Sequence, residues 1–335
     1  MNLKDFIGPY QIVDCLASGG IADVYLAEKI SASGIYQQVV IKRIQKKLLL
    51  ETESHKLFCH EAELYSRMKH SNIVALVDFI SDEQSFCTIL EYINGSNLQQ
   101  FIQDIQDVDE LTRIKIGLPI ADDLLEGLAY SHELKDEAGH SLYLVHRDVS
   151  PSNILLTQRG HAKLCDFGLA KSKLALALTA KGFTRGKIRY MSPEQVEGAL
   201  VDHRSDLFSA ALCLHEILAG TALLDAEFDD LNAKALRSGS YLKKLSQHWS
   251  HQPVIHTLLQ RALHPEPAKR FQNAKEFQSA VRETLDYHRG HFKNLNTEKP
   301  KLWSRCISLI ILIFLAPITW LFYLLSARFI FKPKA

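Results

Sequence analysis

The 335-residue chain has six cysteines, Cys15, Cys59, Cys87, Cys165, Cys213 and Cys306, and no CxxC pair among them. That spacing gives neither a zinc-ribbon nor a dithiol redox motif. Met1-Asn2-Leu3-Lys4-Asp5 runs into a polar start, without a basic stretch followed by an apolar core, so a secretory leader is not expected and reduced thiols are. The 15 histidines are scattered and contain no HExxH. Long basic runs are missing and the formal net charge is +1, which gives no electrostatic signature for nucleic acid, and none is expected as a partner. Internal repeats and low-complexity tracts are also absent. What remains is a chain long enough for a two-lobed globular unit with a sizeable core.

One end breaks the soluble pattern. Cys306 to Ala327 is a run of 22 residues without a charge, bracketed by Arg305 and Arg328. As a helix it would span roughly 33 Å, enough for a hydrocarbon core of about 30 Å. Trp303, Trp320 and Tyr323 lie near its ends, as interfacial aromatics do. Pro317 leaves open a membrane hairpin, and a buried core helix is the bland alternative. Four basic residues precede the run (Lys293, Lys299, Lys301, Arg305) and three follow it (Arg328, Lys332, Lys334), a bias too small to set orientation.

The expected organisation is an N-terminal segment 1–9, a main domain 10–285, a polar linker 286–305, a membrane helix 306–327 and a short tail 328–335. Within the main domain, residues 10–91 read as β-rich with one helix, from runs such as Val39-Val40-Ile41-Lys42 and Phe86-Cys87-Thr88-Ile89-Leu90. Residues 92–285 read as helical, with Leu111–His132 and Asp206–Ala219 the clearest helices. The second of these is apolar nearly all round, which predicts a buried central helix with Gly220 as its C-terminal cap.

Chemistry concentrates in His146-Arg147-Asp148, followed five residues later by Asn153, and in Asp166-Phe167-Gly168. An Asp able to orient a hydroxyl, with an Asn and a second Asp able to hold metal, is the minimal equipment for phosphoryl transfer from a metal–nucleotide. Upstream, Leu16-Ala17-Ser18-Gly19-Gly20-Ile21-Ala22-Asp23-Val24 lies between two strand-like runs, where small residues let backbone N–H groups approach phosphate. Against a GxGxxGxV loop only Gly19 and Val24 match; Ala17 and Ala22 replace the outer glycines. Strand alternation puts Val40 and Lys42 on one face, suited to an adenine ring and to phosphates. On the helix expected from Lys56 to Met68, Glu61 shares the apolar face with Leu57, Leu64 and Met68, whereas Glu63 lies with Lys56, His60 and Arg67. A carboxylate on an apolar face needs a partner, and Lys42 is the natural one.

In that order these motifs resemble a protein kinase domain, most of all the bacterial eukaryotic-like Ser/Thr kinases. The resemblance covers roughly residues 10–285 and takes in Leu90-Glu91-Tyr92-Ile93, Ser192-Pro193-Glu194, Asp206 and Arg270. It implies an α+β two-lobed fold using ATP and Mg²⁺ on protein substrates, with residues 10–91 as small lobe and 92–285 as large lobe. Asp148 would accept or orient the substrate proton, and Asn153 and Asp166 would hold Mg²⁺. The Glu91 carbonyl and Ile93 amide would take the adenine edge, with Leu90 as gatekeeper. Glu194 and Arg270 would pair beneath the activation segment, and Asp206 would anchor the catalytic loop. Thr179 or Thr184 would be autophosphorylated, with Arg147 as the phosphate's partner.

Two departures stand together. The family's Lys two residues after the catalytic Asp is Ser150 here, and its Thr before the Ser-Pro-Glu element is Lys187. In the family's fold these side chains touch, so Lys187 is expected to supply beside Asp148 the ammonium that Ser150 cannot. Together with the uncharged run 306–327 and the kinase's need for cytosolic ATP, the resemblance predicts a single-pass membrane kinase with a cytoplasmic catalytic domain, in a bacterial inner membrane, with a homodimer compatible. The alternative, favoured by Ser150 and the atypical glycine loop, is a catalytically weak pseudokinase acting as a membrane-tethered scaffold. Cys165, beside Asp166, reads either as a cleft thiol or as a packing residue.

Overall fold

The computed structural model describes residues 6–19, 22–30, 36–44, 59, 62–81, 86–167 and 188–293. Gly20, Glu61, Thr179, Thr184, Lys187 and the apolar run 306–327 lie outside them.

The β-branched runs of the first ninety residues form one antiparallel sheet. Its strands are β1 (Phe6–Ile7), β2 (Tyr10–Ser18), β3 (Ala22–Ile30), β4 (Tyr36–Ile44), β5 (Leu76–Ser81) and β6 (Phe86–Glu91), in spatial order β1-β2-β3-β4-β6-β5. Strand parity divides it. Tyr10, Ile12, Tyr25, Ala27, Val39, Ile41, Cys87 and Ile89 bury on one face as a compact apolar cluster. The register pairs Val24 with Lys42, Leu26 with Val40, Lys42 with Thr88 and Val40 with Leu90, so these six share the opposite face. The sheet begins inside the segment expected to precede the domain, because Ile7 pairs with Tyr10 across a turn and is buried. A two-residue strand carries no period for a sequence reading to find.

Residues 62–67 are helical, and Leu64, Tyr65 and Met68 join the core of the larger lobe. Glu63 lies outward and pairs with Arg67 one turn on, at 3.0 Å, as its polar-face position predicts.

The larger lobe opens with β7 (Gly95–Asn97) and α1 (Leu98–Asp104), capped by Asn97. Then comes α2 (Glu110–His132), capped by Asp109. A small sheet, β7-β8-β9, adds β8 (Ile154–Thr157) and β9 (Ala162–Leu164). A short α3 (Pro193–Glu197) precedes α4 (His203–Ala219), of which 14 of 17 residues are buried, as expected of a helix apolar all round. Gly220 ends α4 at φ 76°, the left-handed conformation that glycine adopts without a Cβ clash. The helices α5 (Asp229–Ser238), α6 (Tyr241–His248) and α7 (Pro253–Ala262) pack outside it. The last helix, α8 (Ala274–Lys293), runs beyond 285 into the segment expected as linker. Polar composition and Gly290 hide this extension from a reading based on apolar spacing.

Among the described residues no helix is long and apolar enough to cross a membrane.

Candidate active site

The site is built from three short segments between the sheet and the large lobe. In the first, Lys42 on β4 reaches across to Asp166, with Nζ 2.5 Å from Oδ1. Both side chains are half-buried, so this charge-assisted contact is stronger than a surface pair. Val24, Val40 and Leu90 line the same sheet face as Lys42 and Thr88, which sets three apolar side chains beside the Lys42 cation. The glycine-poor loop is a β-hairpin end. Leu16, Ala17, Ser18 and Gly19 are exposed, Ser18 donates to the Asp23 carboxylate at 2.5 Å, and the Gly19 amide donates to the Ala22 carbonyl at 3.1 Å.

The second segment is the catalytic loop, hung from α4. Asp206 is 1% exposed and its carboxylate accepts the backbone amides of His146 and Arg147, both at 2.8 Å, and contacts the His132 Nε2 at 2.8 Å. Burial alone would raise the Asp206 carboxyl; the bond and charge of His132, with His146 and its amide, outweigh burial and hold it below the ordinary carboxylate range. Arg147 is thereby held at φ 64°, a strained conformation for a non-glycine residue. His146 is fully buried, which lowers its pKa and keeps it neutral. Its Nδ1 accepts from the Asp148 amide at 3.3 Å, so the Nε2–H donates to the Cys165 carbonyl at 3.1 Å.

The third segment carries Asp166, itself at φ 63°. The Cys165 amide donates to the Asn153 carbonyl at 3.0 Å, and the Asn153 amide nitrogen donates to the Asp148 carbonyl at 2.7 Å. The Phe167 amide donates to the Tyr65 hydroxyl at 3.1 Å, with the two rings edge-on at 5.7 Å. Asp148, Asn153 and Asp166 are thus linked through two backbone carbonyls. Asn153 spends its N–H end on the Asp148 carbonyl, so the amide's oxygen is the atom it would offer a hard cation, with the Asp166 carboxylate as the second oxygen ligand. An all-oxygen set of one Asn and one Asp fits Mg²⁺ bound with water and phosphate oxygens.

Below the site, Glu194 and Arg270 form a bidentate pair, Nη1–Oε1 and Nη2–Oε2 each 2.7 Å, with Ser205 donating to Oε1 at 2.5 Å. The Arg270 side chain is fully buried and also donates to the His264 and Pro265 carbonyls. From the same short helix, Gln195 donates to the Arg147 carbonyl at 3.0 Å and so ties the end of the activation segment to the catalytic loop.

This geometry has known counterparts. Residues 10–282 match the family described as protein kinase domain. The chain belongs to the protein kinase family. The kinase domain is 32% identical over 281 residues to the "Tyrosine-protein kinase MasK" of Myxococcus xanthus, covering 84% of this chain and 44% of that one. It is 26% identical to the "Serine/threonine-protein kinase PrkC" of Bacillus subtilis, covering 92% of this chain and 45% of that one. The chain therefore spans less than half the length of these curated relatives. The crystal structure of the Mycobacterium tuberculosis PknI kinase domain superposes with a TM-score of 0.60 at 23% identity, covering 84% of this chain and 99% of that one, which shows the two-lobed fold.

Within that fold the kinase domain brings together Lys42, Asp148, Asn153 and Asp166, and places Val24, Val40 and Leu90 on one face. Ser150 is buried, with its hydroxyl 3.1 Å from that of Ser152. Cys165 is half-buried with Sγ 3.4 Å from the Asn153 carbonyl. Sequence reasoning missed the hinge contacts of the Glu91 side chain, taken up below, and the Tyr65–Phe167 link. Tyr65, one residue from Leu64 on a helix of expected apolar face, carried a weak signal: a buried Tyr hydroxyl needs a hydrogen-bonding partner.

Proposed function

We propose that this chain is a Ser/Thr protein kinase that moves the γ-phosphoryl group of ATP, with Mg²⁺, to protein hydroxyls. The observation that carries this is the linkage of Asp148 through Asn153 to the segment of Asp166, with Lys42 on the Asp166 carboxylate. Asp148 accepts or orients the proton of the incoming hydroxyl. Lys42 steadies the α- and β-phosphates, the Glu91 carbonyl and Ile93 amide take the adenine edge, and Val24 and Val40 cover the ring. Asn153 and Asp166 would hold Mg²⁺, which when bound neutralises charge on the phosphates. Phosphorylation in the activation segment, at Thr179 or Thr184, would give Arg147 a dianionic partner.

Serine and threonine as acceptors are supported by relatives such as PrkC and by the "Serine/threonine-protein kinase PksC" of Streptomyces coelicolor, which is 32% identical. Ser150 in place of Lys, together with the name of MasK, favours tyrosine as the second reading. Incubation with γ-labelled ATP and Mg²⁺, followed by phosphoamino-acid analysis, separates the readings. Phosphoserine and phosphothreonine are expected. Phosphotyrosine alone would overturn the acceptor class, and ATP binding without labelled protein would overturn transfer itself. In the same assay Lys187→Met is expected to slow transfer while ATP affinity stays unchanged, if Lys187 supplies the ammonium that the family's pattern places near the catalytic Asp and that Ser150 cannot supply; a wild-type rate contradicts that role.

Residues 306–327, uncharged over 22 positions, support a membrane anchor that keeps the kinase domain on the cytoplasmic side, where ATP is. Loss of membrane association on truncation after residue 300 is the expected sign of that anchor.

A further inference from the structure

Glu91, at the end of β6, does more with its side chain than its position at the hinge predicts. Its amide donates to the Ala75 carbonyl at 3.0 Å, and the Ala75 amide returns a bond to the Glu91 carboxylate at 2.9 Å. The same Oε1 takes the ammonium of Lys163 at 2.5 Å. Lys163 lies on β9, three residues before Asp166. The segment around Ala75 is bound to β9 as well: the Val74 amide donates to the Leu164 carbonyl, and the Leu164 amide to the Asn72 carbonyl, each at 2.8 Å. The contacts close a ring that runs from the hinge to residues 72–75, on to β9 and back. Every other link in it uses backbone on at least one side; the return is a single ion pair between two side chains.

That pair is half-buried, 17% exposed at Lys163 and 29% at Glu91, and shares its carboxylate oxygen with an amide. It is therefore less screened than a surface pair and has less freedom to move. One side of the ring carries the backbone proposed to take the adenine edge; the other leads directly to the carboxylate proposed for the metal. Their separation must match the span from adenine to phosphate in the nucleotide, and mispositioning at either end weakens binding of the whole.

We infer that Lys163 is a positioning residue for the nucleotide: its bond to Glu91 fixes the hinge against the strand that carries Asp166. This rests on the ATP-binding reading above. Lys163 acts through the Glu91 side chain that it bonds, so its loss is expected to act on affinity before it acts on the chemical step.

The test uses the full chain and four variants, Lys163→Met, Lys163→Arg, Glu91→Gln and the double Lys163→Met/Glu91→Gln. Glu91→Gln keeps the backbone carbonyl and amide. Two readouts are taken: KM and kcat for ATP, and hydrogen exchange at the Ala75 and Ile93 amides without nucleotide. Lys163→Met is expected to raise KM for ATP about five-fold with kcat changed less than about two-fold. Lys163→Arg should return KM toward wild type, and the double variant should be no worse than the poorer single one. Exchange at Ala75 and Ile93 should speed up in Lys163→Met. An unchanged KM with only a lower melting temperature would make the pair merely structural and overturn the inference. Additive effects in the double variant, or unaltered exchange at both amides, would do the same. If the wild-type chain neither binds nor turns over ATP, the proposed function has failed, and exchange at the two amides still decides whether Lys163 holds the hinge.

Discussion

An Asp148→Ala chain is expected to fold normally, bind ATP with near wild-type affinity and transfer phosphate slower by about 10²–10⁴. Two bonds that hold the loop at residue 148 are made by its backbone: the amide donates to His146 Nδ1 at 3.3 Å and the carbonyl accepts from Asn153 at 2.7 Å. Alanine keeps both, so the loop and its neutral imidazole stay in place. What is lost is the carboxylate that takes or orients the acceptor's proton. A fall in kcat with KM for ATP unchanged is the signature of a group acting in the chemical step. Steady-state kinetics at saturating protein acceptor measure it, and a comparable rise in KM would instead assign Asp148 to nucleotide binding.

Arg270→Met is expected to cost about 3–5 kcal/mol of stability, because it strands a carboxylate in the large lobe. Among the described residues, Ser205 is the side-chain donor that Glu194 keeps in that variant. In the wild-type protein burial pushes Glu194 upward, but the bonds and charge of Arg270 outweigh it and the net shift is downward. A carboxyl lowered by folding contributes stability above its unfolded pKa, and that contribution is lost as pH falls through the folded value. Without Arg270, burial is opposed by only the Ser205 and backbone hydrogen bonds, the folded pKa rises, and acid then favours the folded state. The stability gap between wild type and variant should therefore narrow as pH falls from 7 into the carboxylate range. Urea unfolding at several pH values checks this. A gap that stays constant with pH would remove the ion pair from the explanation. Replacing both residues, Arg270→Met with Glu194→Leu, should recover part of the loss, since the stranded charge is gone.

Local spacing made much of this site legible in the sequence. Asp148 and Asn153 sit in one loop, and the strand parity that joins Val40 to Lys42 is a property of neighbouring residues. The buried face of α4 could be read because its apolar residues leave no polar side. Tertiary partners were harder. An apolar-face carboxylate needs a cation, which makes Glu61 the expected partner of Lys42; Glu61 lies outside the described residues, and the structure gives Lys42 Asp166, 124 positions away, at 2.5 Å. Asp206 and the Glu194–Arg270 pair were reachable only through the family resemblance, since nothing local to Arg270 marks a partner 76 residues away. Lys163 was invisible for the same reason. A lysine on a three-residue strand reads as solvent-facing, and only the closed ring of contacts shows that it points at the hinge. The departures at β1 and at the end of α8 are of another kind, where an element is too short or too polar to leave a period.

The central claim is that Asp148 and Asp166 serve one metal-dependent phosphoryl transfer. The most direct measurement is the rate of label transfer from γ-labelled ATP to protein, followed against Mg²⁺ concentration for the wild-type chain and for Asp166→Asn. The account predicts saturable Mg²⁺ dependence in the wild type and loss of transfer in Asp166→Asn at every concentration. Transfer by Asp166→Asn at the wild-type rate, with the same Mg²⁺ dependence, would contradict it.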